Sequence, residues 1–288
     1  MKKNLIRFLT LFLVYISLLN IDNYVVSSYY NKHLNAKLDG LNALNKNYNL
    51  ILGGSNSFYS ISGKLLTELS DESWYNLSIS GEGQNNSNYL SFLEDKISYD
   101  YRNKIKQIIY SSIYYYRKGT IEHREISSNL IDGSKKFSLK PTTSGFTYVK
   151  RLILNGKIMP DYPVQNQYGD FVFTEKTCSN HNITQKFNIE NFKIIKNDLN
   201  YKLEELERIF PNAKITIIFP SDYIEKSNLY KYQSEISQLE KYLKSNLDSK
   251  NKFIFQDPLT YDYVCDDASH ANIQGNIWRT QNLFNKLY

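Results

Sequence analysis

Residues 50–57 read Leu50-Ile51-Leu52-Gly53-Gly54-Ser55-Asn56-Ser57. Three apolar residues stopped by two glycines and a serine describe a short buried strand that runs straight into a helix start. The same pattern recurs along the chain. Trp74 to Ile79 reads as a second strand ended by Ser80-Gly81-Glu82-Gly83, Ile105 to Ile113 as a third, Ile215 to Phe219 as a fourth and Phe253 to Phe255 as a fifth. Helical spacing fills the gaps: Ser57 to Leu69, Asn85 to Leu93, Ile189 to Phe210, a helix marked by Tyr232, Ile236, Leu239 and Leu243, and a last one marked by Ile273, Ile277, Phe284 and Leu287. In the third of these Phe192, Ile195, Leu199, Leu203, Leu206 and Phe210 recur at steps of three and four, and Pro211-Asn212 stops the run. Apolar strands alternating with amphipathic helices predict an α/β fold. The expected form is a three-layer sandwich around a five-stranded parallel sheet, flavodoxin-like, with helices on both faces. Sites in such sheets form beyond the carboxyl ends of the strands.

Two regions depart from this rhythm. Residues 117–187 are rich in Gly, Ser, Lys and Asn and read as an insertion after strand three, on the site side of the sheet. At the other end, Phe8 to Ile21 carries no charge, with Lys2, Lys3 and Arg7 before it and Asp22 after it. That pattern is a signal anchor over residues 1–24 or a cleaved signal peptide. The absence of an A-x-A site after it favours the anchor. Either reading puts the rest of the chain outside the cytoplasm, tethered by a single pass if the segment is kept and secreted if it is cleaved. Residues 25–46 are polar and read as a stalk, and residues 47–288 as the folded domain.

Composition narrows the function. Hydrophobic residues make up 41% and charged residues 22%, which excludes a disordered chain and a multi-span transporter. Removing Lys2, Lys3 and Arg7 from the 35 basic residues leaves 32 against 29 acidic ones. No basic stripe with interleaved aromatics appears, so no nucleic-acid partner is expected. No motif calls for a cofactor.

Three turns carry chemistry. Ser55 sits on a tight glycine turn between strand and helix, a position that suits a nucleophile and equally suits a helix N-cap. Gly81, after strand two, could bring a backbone N–H to a reacting oxygen or simply form a turn. Near the C-terminus, Cys265-Asp266-Asp267-Ala268-Ser269-His270 sets a carboxylate three residues before an imidazole. Asp267 can there orient His270 as a general base, or Asp267 or Ser269 can cap the last helix. Cys178, the first of the Cys178-Ser179-Asn180-His181 run, and Cys265 are the two cysteines. They read as a disulfide in an oxidising compartment or, with His181 and His270, as an irregular zinc set. The disulfide is the expected arrangement, with no metal. Tyr114 and Tyr115 can line a carbohydrate site or pack the insertion.

Taken together, the Gly-Gly-Ser turn, the Ser80-Gly81 turn and the D-x-x-H before the last helix resemble the SGNH hydrolase family over most of residues 47–288. The likeness is greatest to membrane-anchored members that modify bacterial surface polysaccharides, such as the alginate acetylation and lipoteichoic acid D-alanylation proteins. The resemblance implies Ser55 as nucleophile, His270 as base, Asp267 as its orienting carboxylate, and the N–H groups of Ser55 and Gly81 as oxyanion donors. Two positions depart from the family. Gly54 stands where G-D-S has its Asp, and Ile109-Tyr110-Ser111-Ser112-Ile113 lacks the Asn of the G-x-N-D block. Asn85, Asn86 or a tyrosine is then the candidate for the missing donor. The implied activity is serine-dependent acyl transfer or ester hydrolysis on an exported polysaccharide. A transferase would need a separate membrane acyltransferase to supply acyl groups. The alternative is an inactive SGNH-like polysaccharide-binding or scaffold subunit. Deleting residues 1–24 is expected to give a soluble, folded domain. A truncated protein that still partitions with bilayers like the full chain would refute a single anchor.

Overall fold

The computed structural model describes residues 2–44, 46–79, 88–111, 164–174, 178, 196–219, 223–224, 226–246, 251–265 and 270–288. A long helix α1 (Lys2–Ala43) leads to β1 (Asn49–Gly53), α2 (Ser55–Phe58), α3 (Gly63–Ser70) and β2 (Trp74–Asn76). Then come α4 (Asn88–Lys96), α5 (Tyr99–Lys104), β3 (Gln107–Ser111), α6 (Lys196–Ile209), β4 (Lys214–Phe219), α7 (Leu229–Asn246), β5 (Lys252–Phe255) and α8 (Ile273–Leu287). The sheet has five parallel strands in the order β2-β1-β3-β4-β5. This is the doubly wound arrangement expected from the sequence.

The apolar strands face two cores. Leu50 and Leu52, Ile108 and Tyr110, and Ile215 and Ile217 point to one side, against Leu34, Leu38 and Leu41 of α1, Leu90 and Leu93 of α4 and Leu206 of α6. Ile51, Ile109, Ile218 and Ile254 point to the other, against Leu66 of α3 and Leu283 of α8. Period-two alternation with both sides buried is why apolar residues run consecutively within β1, β3 and β4. The segment expected as a stalk, 25–46, thus supplies three leucines to the domain core. Phe8 to Ile21 belong to α1, where Ile6, Phe8, Leu9, Leu11 and Leu13 are exposed. Among the described residues no helix is long and apolar enough to cross a membrane.

The helix expected over Ser57 to Leu69 is two helices with a break at residues 59–62. Tertiary bonds hold the break. Asn76 Nδ2 donates to Ile61 O at 2.8 Å, Ser62 N donates to Thr280 Oγ1 of α8 at 3.0 Å, and Ser62 Oγ caps α3 by accepting from Leu65 N. The Asp170 carboxylate, from the insertion, accepts from Gly63 N at 2.6 Å and Lys64 N at 3.0 Å. Apart from the Ser62 cap these partners are distant in sequence, Thr280 and Asp170 by more than 100 residues, so helical periodicity could not reveal the break. Strand two ends at Asn76, although Leu77 N and Ile79 N still donate to Ile51 O and Gly53 O of β1.

On α1, Lys37 and His33 are wholly buried. Lys37 Nζ donates to Asn76 O and to Gly169 O, each at 2.7 Å, and lies 4.6 Å from the Phe58 ring centre. Burial holds the His33 imidazole at a pKa of about 3, with Lys37 adding to the effect. An unfolded chain protonates this imidazole near 6.5 and the folded protein only near 3. The folded state therefore binds fewer protons across that window and loses stability as pH falls through it. The effect is on the order of 5 kcal/mol at most. Thermal melts between pH 7 and 4 should show a steep fall for the wild type and a shallower one for His33→Leu. Equal slopes would remove His33 as the source.

Candidate active site

Gly53 ends β1 with φ at +140°, a backbone region open chiefly to glycine. A Cβ there would stand 1.9 Å from Ser111 O on β3 and 2.8 Å from Ser57 Oγ. The first strand can therefore turn into α2 only at a glycine. Ser55 opens α2, part-exposed at the carboxyl edge of the sheet. The turn closes through Ser57 N and Phe58 N, which donate to Gly54 O at 2.9 and 2.8 Å. Asn76 fastens it from below, with Nδ2 on Ile61 O and Oδ1 accepting from Ser78 N.

His270 arrives from the other end of the chain. Its carbonyl accepts from Cys265 N at 2.8 Å, and Val264 bridges Ala271, which ties residues 264–265 to 270–271. The His270 and Tyr59 ring centres are 4.7 Å apart. Tyr59 lies one helical turn beyond Ser55, its N–H donating to Ser55 O at 2.9 Å. The serine turn and the histidine loop are thus neighbours at one edge of the sheet. Helix α8 holds them so: Asn276 Nδ2 donates to Tyr59 O at 3.0 Å, and the buried Arg279 donates to Ser60 Oγ at 3.0 Å. Asn272 caps α8, its Oδ1 accepting from Gly275 N at 2.9 Å. Neither Asp267 nor Ser269 is needed as that cap.

Cys178 and Cys265 form a disulfide with Cα atoms 4.7 Å apart. It consumes both thiols of the zinc alternative and ties the insertion to the histidine loop. Among the described residues, no group of three or more His, Cys, Asp or Glu side chains could hold a metal ion. Asp267, Gly81, Asn85, Asn86, Tyr114 and Tyr115 lie outside the described residues. Three buried polar groups at this edge were not singled out from the sequence. Asn56, Ser57 and Ser111 have side-chain atoms without a hydrogen-bond partner among the described residues.

No family model matches the chain, and no curated protein matches it. Several solved structures superpose on it in part. A Streptococcus pneumonia protein provisionally named a platelet activating factor superposes with a TM-score of 0.44 at 12% identity, over 93% of this chain and 96% of that one. The periplasmic domain of a lipopolysaccharide acetyltransferase from Salmonella ser. Paratyphi A gives 0.41 at 11% identity, over 92% and 97%. A family two carbohydrate esterase from Clostridium thermocellum gives 0.38 at 9% identity, over 83% of this chain and 63% of that one. Likenesses this distant carry no weight for activity, and the residues at the sheet edge must supply it.

The disulfide closes a loop of 87 residues, for which chain entropy gives about 4.6 kcal/mol. Non-reducing peptide mapping of exported protein should recover the 178–265 linked pair, and reduction should lower the melting temperature by several degrees. Two free thiols would refute the pairing.

Proposed function

We propose that the chain is a serine-dependent enzyme of the SGNH hydrolase type that transfers or hydrolyses O-acyl groups, above all O-acetyl groups, on an exported bacterial polysaccharide. The observation that carries this reading is the tilted contact of the His270 and Tyr59 rings, 4.7 Å between centres, one helical turn from Ser55. It brings an imidazole to the only glycine-forced serine turn among the described strand ends. In the proposed reaction Ser55 Oγ forms a bond to the acyl carbon and gives its proton to His270, while the carbonyl electron pair moves onto oxygen. Collapse restores the carbonyl, breaks the ester C–O bond and returns the proton from His270 to the departing sugar hydroxyl. Water or a second sugar hydroxyl then takes the acyl group from Ser55 by the same steps. Asp267 would hold the imidazole tautomer, and the N–H groups of Ser55 and Gly81 would face the oxyanion.

The location is part of the proposal. The exposed apolar residues near the start of α1 and the flanking Lys2, Lys3 and Arg7 suit a bilayer, with the domain on the periplasmic face. A membrane acyltransferase would supply acyl groups if the reaction is transfer. One observation favours the second reading, an inactive polysaccharide-binding scaffold: β3 ends in Ser111, where the family's Asn-bearing block belongs.

Turnover of an aryl acetate and an acetylated oligosaccharide separates the readings. Ser55→Ala and His270→Ala should each lose about 10³-fold or more, and the double variant little more, because the pair acts as a unit. Wild-type turnover in folded Ser55→Ala would end the serine assignment. Polysaccharide binding without turnover by either wild type or Ser55→Ala would favour the scaffold.

A further inference from the structure

The side chains of α2 divide the space around the serine turn. Phe58 faces α1, its ring centre 4.6 Å from Lys37 Nζ and 5.3 Å from the His33 ring. Ser57 faces the sheet, with Oγ 2.8 Å from where a Gly53 Cβ would stand. Asn56 precedes Phe58 by two residues, about 200° around the helix, so it projects away from α1. The turn itself abuts β3, where a Cβ on Gly53 would meet Ser111 O. There the winding reverses: α3, which links β1 to β2, packs on one face of the sheet, and α6, on the way from β3 to β4, packs on the other. The cleft between the carboxyl ends of β1 and β3 is therefore the switch point, where ligands bind in doubly wound sheets. Ser111 closes its far side, paired in register with Gly53.

Asn56 is 2% exposed, and neither its Oδ1 nor its Nδ2 has a hydrogen-bond partner among the described residues. The comparison with Asn76 is direct. That carboxamide is equally buried and uses both ends, Nδ2 on Ile61 O and Oδ1 on Ser78 N. A folded chain rarely leaves a whole amide buried and unbonded, and such exceptions call for an explanation. Here the explanation adjoins the residue, since Ser55 is its neighbour. Addition of a serine oxygen to an ester carbonyl concentrates negative charge on the carbonyl oxygen, and a fixed N–H donor in a dry cleft stabilises that charge strongly.

We propose that the Asn56 carboxamide is a catalytic hydrogen-bond donor, its Nδ2–H group binding the acyl carbonyl oxygen as charge develops there during attack by Ser55. The assignment rests on the acyl-transfer reading above. The idle amide is the free protein awaiting a carboxylic ester.

The test uses the full chain in detergent, with p-nitrophenyl acetate as substrate. A fluorophosphonate probe reports whether Ser55 is a competent nucleophile, and thermal melts report folding. Asn56→Ala should lower kcat by about 10²–10³-fold with KM within about threefold, the pattern of a lost oxyanion donor. Its melting temperature should hold or rise, because truncation removes an unsatisfied buried amide. A packing role would give the reverse, a lower melting temperature with kcat intact. The near-isosteric Asn56→Leu carries the measurement if alanine does not fold. Wild-type kcat in folded Asn56 variants, with Ser55→Ala inactive, overturns the donor and leaves the serine reading standing. No wild-type turnover and no probe on Ser55 overturns both.

Discussion

A single buried amine joins three separate parts of this domain. Lys37 of α1 donates to Asn76 O at the end of β2 and to Gly169 O in the insertion, and covers the Phe58 ring of α2. Removing an ammonium from water is costly unless hydrogen bonds replace the lost hydration. Burial pushes the Lys37 pKa well below its ordinary value, while Asp170 pulls it back up. The arrangement permits little substitution around it. Gly169 sits at φ +73°, and a Cβ there would stand 2.3 Å from Asn76 O. The Tyr75 hydroxyl donates in turn to Lys37 O at 2.8 Å. Helix, strand and insertion are each positioned by the need to satisfy this one group.

The sheet was legible in the sequence because burial on both faces leaves strands such as Ile215 to Phe219 with no polar alternation, a signal carried by each segment alone. The serine turn was legible for a related reason. Gly53 marks a backbone that only glycine enters readily, and the constraint is written into one residue. The break at residues 59–62 was hidden because its partners, Asp170 and Thr280, lie more than 100 residues away. The buried half of α1 was hidden by its polarity. His33 and Lys37 make residues 25–46 read as solvent-facing, and only the contacts with Asn76, Gly169 and Phe58 turn that face inward. Asn56 was invisible for the opposite reason: a polar residue on a turn looks exposed until the structure buries it.

The insertion emerges as part of the edge that carries Ser55. Tyr168 O accepts from Asn76 N, Asp170 caps α3, and the Phe171 ring meets Phe58 and Tyr59 at 5.5 and 4.9 Å. A few residues later Cys178 is bonded to Cys265, at the base of the His270 loop. One short stretch of chain thus grips the serine helix by packing and the histidine loop by a covalent bond. Ser55 and His270 lie more than 200 residues apart in sequence, on elements that share no backbone ladder. Their relative position depends on what fastens both, which is α8 on one side and this stretch on the other. The second fastening is covalent and adds to packing: Val264 and Ala271, on either side of the Cys265–His270 pair, are buried, and the disulfide restrains Cys265 beyond what that packing supplies.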